Sequence, residues 1–264
     1  MKPAGAPVRI WYQSFVDPEA QAPYMERLRH RLREVAAPGV TVDVHGISPA
    51  DRHFHAITEF RCAEQTIHAA LRAEREGYDA FVIGHFQEPG LVECRGAVDI
   101  PVVALGEASL LQACALGRRI GLVTIDPAFI PWHEAQVAHH GLQQRVAGIA
   151  AITADLARFM KAFTDRAEYE ALRGDFAAQV QDLIARGADV LIPAGGLPML
   201  LFSGAQPFLI GKVPVLEGIA TVLKTAEMAV ALHRLTGIPA SRAGLYAKAS
   251  AGAIEDFLGP TSLI

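Results

Sequence analysis

Residues 77–85 read GYDAFVIGH, and residues 187–195, which lie 110 positions further along the chain, read GADVLIPAG. Each stretch has glycine at its first position and aspartate at its third, and then continues as an apolar run. Uninterrupted apolar runs of this length are typical of central strands in a parallel sheet that is covered on both faces. The two stretches therefore predict two equivalent buried strands.

A second pair of stretches repeats at the same offset. Residues 9–18 read RIWYQSFVDP, and residues 119–127 read RIGLVTIDP. A loose alternation of strands and helices would produce some likeness in any α/β protein, but one offset shared by two separate places favours an internal duplication. The chain is therefore expected to contain two similar halves.

Short apolar runs alternate with longer amphipathic stretches along the whole chain, a pattern that predicts parallel strands joined by helices. The predicted fold class is α/β, with two pseudo-symmetric three-layer α/β domains, parallel sheets and an interdomain cleft. The expected first domain comprises residues 1–106 plus 217–264, and the expected second domain comprises residues 107–216. Strands are predicted at 8–13, 40–45, 79–84, 101–105, 119–124, 143–151, 189–193 and 213–216, with helices at 19–36, 59–76, 90–97, 107–116, 130–140, 165–186 and 217–236.

Composition excludes several classes of function. A net charge of -4 and a pI near 6.2 give no electrostatic reason to expect nucleic acid or a membrane surface as a partner, so a small-molecule substrate is expected. No uncharged run is long enough for a membrane span, and no apolar segment follows Lys2 and Arg9 as in a secretory signal, which predicts a cytoplasmic protein. The three cysteines show no C-x-x-C spacing and predict buried thiols rather than disulfides or a zinc site.

A ligand site is expected where corresponding strands of the two halves end. Open parallel sheets bind ligands beyond the carboxyl ends of their strands, where loops and helix N-termini supply backbone N–H groups. Four segments are expected around one pocket: residues 13–15, 85–88, 124–125 and 195–197.

The loop at 85–91, HFQEPGL, together with DIPV at 99–102 and GEA at 106–108, resembles the aspartate/glutamate/hydantoin racemase superfamily, with the hydantoin racemase branch nearest. The resemblance runs from the first strand to about Thr236. It implies two pseudo-symmetric α/β domains, no cofactor, and a dimer or larger homo-oligomer. It also implies chemistry in which two opposed cysteines move a proton on a carbon next to a carbonyl or carboxylate group.

The chain departs from the family at both cysteine positions. The family loop usually begins Cys-Phe-x-Asp-Pro-Gly-Leu, but this chain has His85 at its first position, and Gly195 stands where the second family cysteine would be. Cys62, Cys94 and Cys114 fall within predicted helices rather than at strand ends. A racemisation shared between two thiols is therefore not expected here, and one-sided acid/base chemistry remains.

His85 is the predicted catalytic residue, because imidazole exchanges protons near neutral pH and a loop at a strand end presents it to substrate. Glu88 is predicted either to orient His85 or to serve as an ordinary surface or helix N-terminal carboxylate. Ser14 and Thr124, which the repeat aligns, are candidate donors to a substrate oxygen, although both residue types also cap helices. Phe15 and Phe86 are candidates for lining the pocket, and the alternative is that they pack in the core.

Gly195 and Gly196 are predicted to bring backbone N–H groups close to a substrate oxygen, with a plain tight turn as the alternative. His53, His55 and Glu59 raise the alternative of a metal-dependent hydrolase, but their spacing is not specific, so no metal and no cofactor are predicted. The expected function is a cofactor-independent isomerase or lyase acting on a small carboxylate or a cyclic amide. The alternatives are a hydrolase of such a molecule and a ligand-binding homologue without activity.

Overall fold

The computed structural model describes residues 5–50, 53, 55–152, 154, 156–204 and 207–259. Within them, strands and helices alternate along the chain. The elements, in order, are β1 (Val8–Gln13), α1 (Ala22–Val35), β2 (Val40–His45), α2 (Ala56–Arg75), β3 (Ala80–Ile83), α3 (Leu91–Ala97), β4 (Val102–Ala104), α4 (Leu105–Leu116), β5 (Ile120–Thr124), α5 (Ile130–His139), β6 (Val146–Ala151), α6 (Leu156–Ala162), α7 (Arg166–Gln179), α8 (Gln181–Ala185), β7 (Val190–Ala194), α9 (Gly196–Phe202), β8 (Leu209–Ile210), β9 (Val213–Pro214), α10 (Gly218–Thr236) and α11 (Ala251–Leu258).

Two parallel sheets with matching strand order form the frame of the fold. The first sheet has the order β2-β1-β3-β4, and the second has the order β6-β5-β7. Beyond β7, Val215 makes one parallel bridge to Leu191, so the chain after β9 takes the edge position that β4 has in the first sheet. The predicted α/β class with two pseudo-symmetric halves is confirmed.

The internal repeat is visible at the level of single hydrogen bonds. The backbone N–H of Arg9 donates to the Asp79 carboxylate at 2.9 Å, and the N–H of Arg119 donates to the Asp189 carboxylate at 2.7 Å. The backbone N–H of each aspartate donates a hydrogen bond to the backbone carbonyl of the same arginine. The two sequence stretches that repeat therefore make the same contacts in each half.

The side chains of β1 alternate between two hydrophobic layers, as the period of a strand requires. Ile10 and Tyr12 belong to a central cluster that continues through α1, α4 and α10 to the second sheet. Trp11 points the other way, into a cluster formed with α2 and α3. A third cluster covers the outer face of the second sheet. The molecule is thus layered, with its largest core between the two sheets.

Two helices lie away from their neighbours in sequence. Helix α10 contacts β1, β3 and β4 of the first sheet, whereas α4, which follows β4 directly, contacts β5 and β7 of the second. The domain division at 1–106 plus 217–264 and 107–216 stays a prediction, and this packing supports it.

Three sequence predictions need correction. The single helix expected at 165–186 is divided into α7 and α8 at Val180, and α6, α9 and α11 were not predicted. The strand expected from 143 begins at Val146, because residues 143–145 form a short 3-10 turn.

Among the described helices, none is both long enough and apolar enough to cross a lipid bilayer.

Candidate active site

A cavity of about 90 Å³ lies between the two halves, at the carboxyl ends of β1, β3, β5 and β7. Its wall contains members of all four segments that follow these strands: Phe15, residues 84–87, Ile125 and residues 194–197. Its volume is well below the roughly 300–1,000 Å³ of a site for drug-sized ligands, so the cavity suits a small one.

His85 lies in the cavity wall directly after β3. Its Nδ1 atom accepts a hydrogen bond from the backbone N–H of Gln87 at 3.3 Å, and its Nε2 atom lies 3.6 Å from the carboxylate of Glu59. The edge of the ring packs against Phe15, with the centroids 4.7 Å apart. Because a backbone N–H can only donate, the neutral ring carries its proton on Nε2, facing the carboxylate, and its lone pair on Nδ1.

Glu59 is the acidic residue that the structure brings to His85. It lies in the first turn of α2, and the side chains of both residues are only 15% exposed. The sequence had grouped Glu59 with His53 and His55 as possible metal ligands. His55 instead caps α2, accepting the N–H of Ile57 on its Nδ1 atom. Within the described part of the chain, no three side chains of the metal-binding types come together.

Glu88 is directed away from His85. The residue has φ +63°, which is uncommon for a residue other than glycine, and the resulting turn aims its carboxylate at the start of α4. One oxygen accepts the backbone N–H of Glu107, and the other lies 2.9 Å from Nε2 of His140. This hydrogen bond raises the pKa of His140 above its usual 6.5. The carboxylate therefore ties the loop of the first half to α5 of the second.

Ser14 directly follows β1 and Thr124 ends β5, both with their side chains inside the protein, so that the next residues, Phe15 and Ile125, form the cavity wall. The Thr124 hydroxyl is 3.2 Å from Nε2 of His133. The Ser14 hydroxyl lies near the Tyr24 phenol, although it makes no hydrogen bond of good geometry. Neither hydroxyl lines the cavity, and a part for either in binding substrate stays a prediction.

A buried polar network supports the loop from behind. His133 is fully buried, because it faces the second sheet from α5. Its Nδ1 atom is 3.3 Å from Oε1 of Gln136, and the Gln136 amide donates to the backbone carbonyl of Phe86. Burial lowers the pKa of His133 to about 4, an effect that the Gln136 hydrogen bond opposes and the charge of His85 reinforces.

Part of the wall from the second half is the junction of β7 and α9, residues 194–197. Gly195 has φ +157°, and a Cβ atom there would lie 3.2 Å from the Pro198 ring. A Cβ atom on Gly196 would lie 3.2 Å from the Tyr24 hydroxyl. Both glycines thus keep the loop backbone close to the cavity, at the place where the sequence predicted their amides to meet a substrate oxygen.

Cys62 and Cys94 are buried and Cys114 is half-buried, as free thiols. None of them lines the cavity as the described residues form it. Burial, with a smaller contribution from Glu93, raises the pKa of the Cys94 thiol well above its usual range. The chain therefore presents no activated thiol to this cavity.

The family model for Asp/Glu/Hydantoin racemase matches residues 14–226, a span that contains the whole cavity wall. The chain belongs to this family. A hydantoin racemase from Pseudomonas sp. (strain NS671) is 30% identical over 199 residues, which are 75% of this chain and 77% of that protein. Membership of the racemase family identifies the chain as an isomerase.

Solved structures of the family show the same fold. An allantoin racemase from Klebsiella pneumoniae superposes with a TM-score of 0.74 at 24% identity, over 92% of this chain and 94% of that one. An allantoin racemase from Pseudomonas fluorescens superposes with a TM-score of 0.69 at 22% identity, over 92% and 97% of the two chains. The two-domain α/β architecture with an interdomain cleft is therefore that of the racemase family.

Proposed function

We propose that this chain is a cofactor-independent isomerase that moves a proton at the carbon next to a carbonyl group of a small cyclic amide, with His85 as the acid/base. The observation that carries the proposal is the position of His85. It lies in the loop after a central strand of the first half, β3, lines the cavity and has the Glu59 carboxylate 3.6 Å from its Nε2 atom.

The surroundings of His85 assign a role to each ring nitrogen. Nδ1 holds the lone pair and takes the substrate proton, displacing the 3.3 Å hydrogen bond from Gln87. The bonding electrons pass to the carbonyl oxygen as an enolate, and Nε2–H stays directed at Glu59, whose negative charge stabilises the imidazolium. The imidazolium then returns a proton to the substrate, so that base and acid are one residue.

The chemistry is one-sided, because Gly195 supplies no acid or base on the opposite loop. A proton that leaves and returns through His85 alone comes back on the face from which it was taken, or moves to another atom of the conjugated system. The proposed reaction is therefore a proton-shift isomerisation rather than an exchange of mirror images between two thiols.

A cyclic amide is the proposed substrate class. The similar proteins are named hydantoin racemase and allantoin racemase, and both words denote small cyclic amides. Residues around His85 are mostly apolar or backbone groups, including Phe15, Ile125 and Gly196, which suits a neutral ring better than a dicarboxylate. A small carboxylate remains the alternative.

Deuterium exchange tests the proposal. One enantiomer of allantoin or of 5-methylhydantoin is incubated in D2O with and without protein, and proton NMR and chiral chromatography follow the carbon-bound hydrogen and the configuration. We expect exchange well above the protein-free rate without appearance of the opposite enantiomer, and we expect any net reaction to appear as a new isomer in which the proton has moved to another atom of the conjugated system. Inversion as fast as exchange would contradict one-sided chemistry, and opening of the ring would identify a hydrolase.

A ligand-binding homologue without activity is the second candidate, and the absence of cysteine from the cavity wall favours it. Under this alternative, calorimetry would detect binding of the cyclic amide, while NMR would detect no exchange above the protein-free rate. That pair of results would overturn the proposed isomerase.

Assembly into a homo-oligomer stays a prediction of the family resemblance.

A further inference from the structure

Tyr24 belongs to the cavity wall although no part of the sequence pattern pointed to it. It lies in the first turn of α1, is 2% exposed, and lines the cavity. The ring is fixed by edge contact with Phe163, the centroids being 5.7 Å apart. Its hydroxyl lies 3.2 Å from the place that a Cβ atom on Gly196 would take. The glycine therefore leaves room for the phenol at the loop of the second half.

We propose that the Tyr24 hydroxyl is a further catalytic group, which donates a hydrogen bond to the substrate oxygen on which negative charge develops. This inference rests on the proposed function of the same cavity. His85 lies beside Phe15 and Glu59, and the Tyr24 hydroxyl lies beside Gly196, so both groups border the same cavity.

The surroundings of the phenol suit a donor and not a base. Burial raises the pKa of Tyr24 well above its usual 10, and the nearby Ser14 hydroxyl opposes this only in part. The phenol therefore keeps its proton throughout the neutral range. A protonated phenol in a site shielded from water stabilises an enolate oxygen without taking a proton from carbon, so the one-sided stereochemistry of His85 is preserved.

Tyr12 provides a matched control within the same chain. Its phenol is also fully buried, burial and the neighbouring Tyr24 and Glu217 raise its pKa, and it does not line the cavity. Tyr24→Phe and Tyr12→Phe thus remove the same hydroxyl from two adjacent buried tyrosines, of which only Tyr24 lines the cavity. Thermal unfolding of both variants checks that each is folded.

The first measurement is deuterium exchange into allantoin or 5-methylhydantoin. We expect Tyr24→Phe to lower kcat by about 10²–10³-fold with KM changed by less than about threefold, which is the loss seen when one oxyanion donor is removed. Tyr12→Phe should stay within about twofold of the unaltered protein. Difluorotyrosine at position 24, which keeps the hydroxyl, should retain the activity and confirms the result if Tyr24→Phe folds poorly.

The second measurement does not depend on turnover. The barbiturate anion is a planar cyclic enolate, and we expect Tyr24→Phe to weaken its binding by about tenfold or more, while Tyr12→Phe leaves it unchanged. If the unaltered protein binds barbiturate in this Tyr24-dependent way but catalyses no exchange, the isomerase proposal fails and the donor role stands. If Tyr24→Phe alters neither exchange nor binding, or if barbiturate does not bind the unaltered protein, the Tyr24 proposal is overturned.

Discussion

The Nε2 atom of His85 lies 3.6 Å from the carboxylate of Glu59, across the gap between the loop after β3 and the first turn of α2. Both side chains are largely shielded from solvent, so the attraction between an imidazolium and this carboxylate is screened less than at the surface. The hydrogen bond from Gln87 to Nδ1 places the proton of the neutral ring on Nε2, which faces this carboxylate. Glu59 is therefore expected to act as a positioning residue for His85.

Glu59→Gln keeps the size of the side chain and removes its charge. We expect the exchange rate to fall by about 10–100-fold, because the imidazolium loses its stabilising partner, and the pH–rate profile to shift. The matched control is Glu64→Gln, which makes the same change at an exposed position of α2 and should leave the rate unaltered. An unchanged rate and pH profile in Glu59→Gln would remove Glu59 from the mechanism.

The thiols are expected to be dispensable. Replacing Cys62, Cys94 and Cys114 together by Ala or Ser should leave turnover within about tenfold, a barrier change of about 1.4 kcal/mol or less, because none of them lines the cavity. Iodoacetamide should be harmless to the native protein for the same reason. A loss of several hundredfold in a variant that is still folded would show that a thiol takes part.

Much of the fold could be predicted from the sequence because its signals are local. The apolar run before His85 and its counterpart before Gly195 identify two central strands, and the carboxyl ends of parallel strands necessarily meet at one edge of each sheet. The residues that follow these strands do surround one cavity. The internal repeat also predicted that the two halves are similar, which the equivalent contacts of Asp79 and Asp189 confirm.

The partners of the site residues could not be predicted, because they depend on how separate elements pack. Glu59 meets His85 only through the placement of α2 against the first sheet. Glu88 turns away because its backbone takes a positive φ. A positive φ is usually indicated in a sequence by glycine, and this position is a glutamate. The burial of His133 follows from the packing of α5 on the second sheet, which no local pattern around it indicates.

His133 predicts a loss of stability in mild acid. Its pKa is about 4 in the folded protein and about 6.5 when unfolded, so the unfolded chain binds the proton first and stability falls as the pH decreases from 6.5 towards 4. The loss between pH 7 and pH 5 should be about 2 kcal/mol for this group. Urea unfolding should show a smaller loss over this range in His133→Gln, whereas the exposed control His139→Gln should behave as the unaltered protein. Equal losses in all three would contradict the burial of a neutral His133.

His140 predicts the opposite response to pH. Its pKa is raised above 6.5, first by the hydrogen bond to Glu88, so its contribution is complete below pH 6.5 and is lost as the pH rises through the folded value. His140→Gln should therefore cost roughly 1–3 kcal/mol at pH 6, and clearly less at pH 9. The free energies of unfolding at the two pH values check this, and a cost that grows with pH would contradict the ion pair with Glu88.

The most direct test of the central claim is the rate of deuterium exchange into a cyclic amide by His85→Asn, compared with the unaltered protein at saturating substrate. Asparagine keeps a polar side chain of similar reach and removes the proton acceptor. The account predicts a fall of at least about 10²-fold with substrate binding largely retained, which is the usual contribution of a general acid/base. A folded His85→Asn protein that exchanges the substrate proton at nearly the unaltered rate would contradict it.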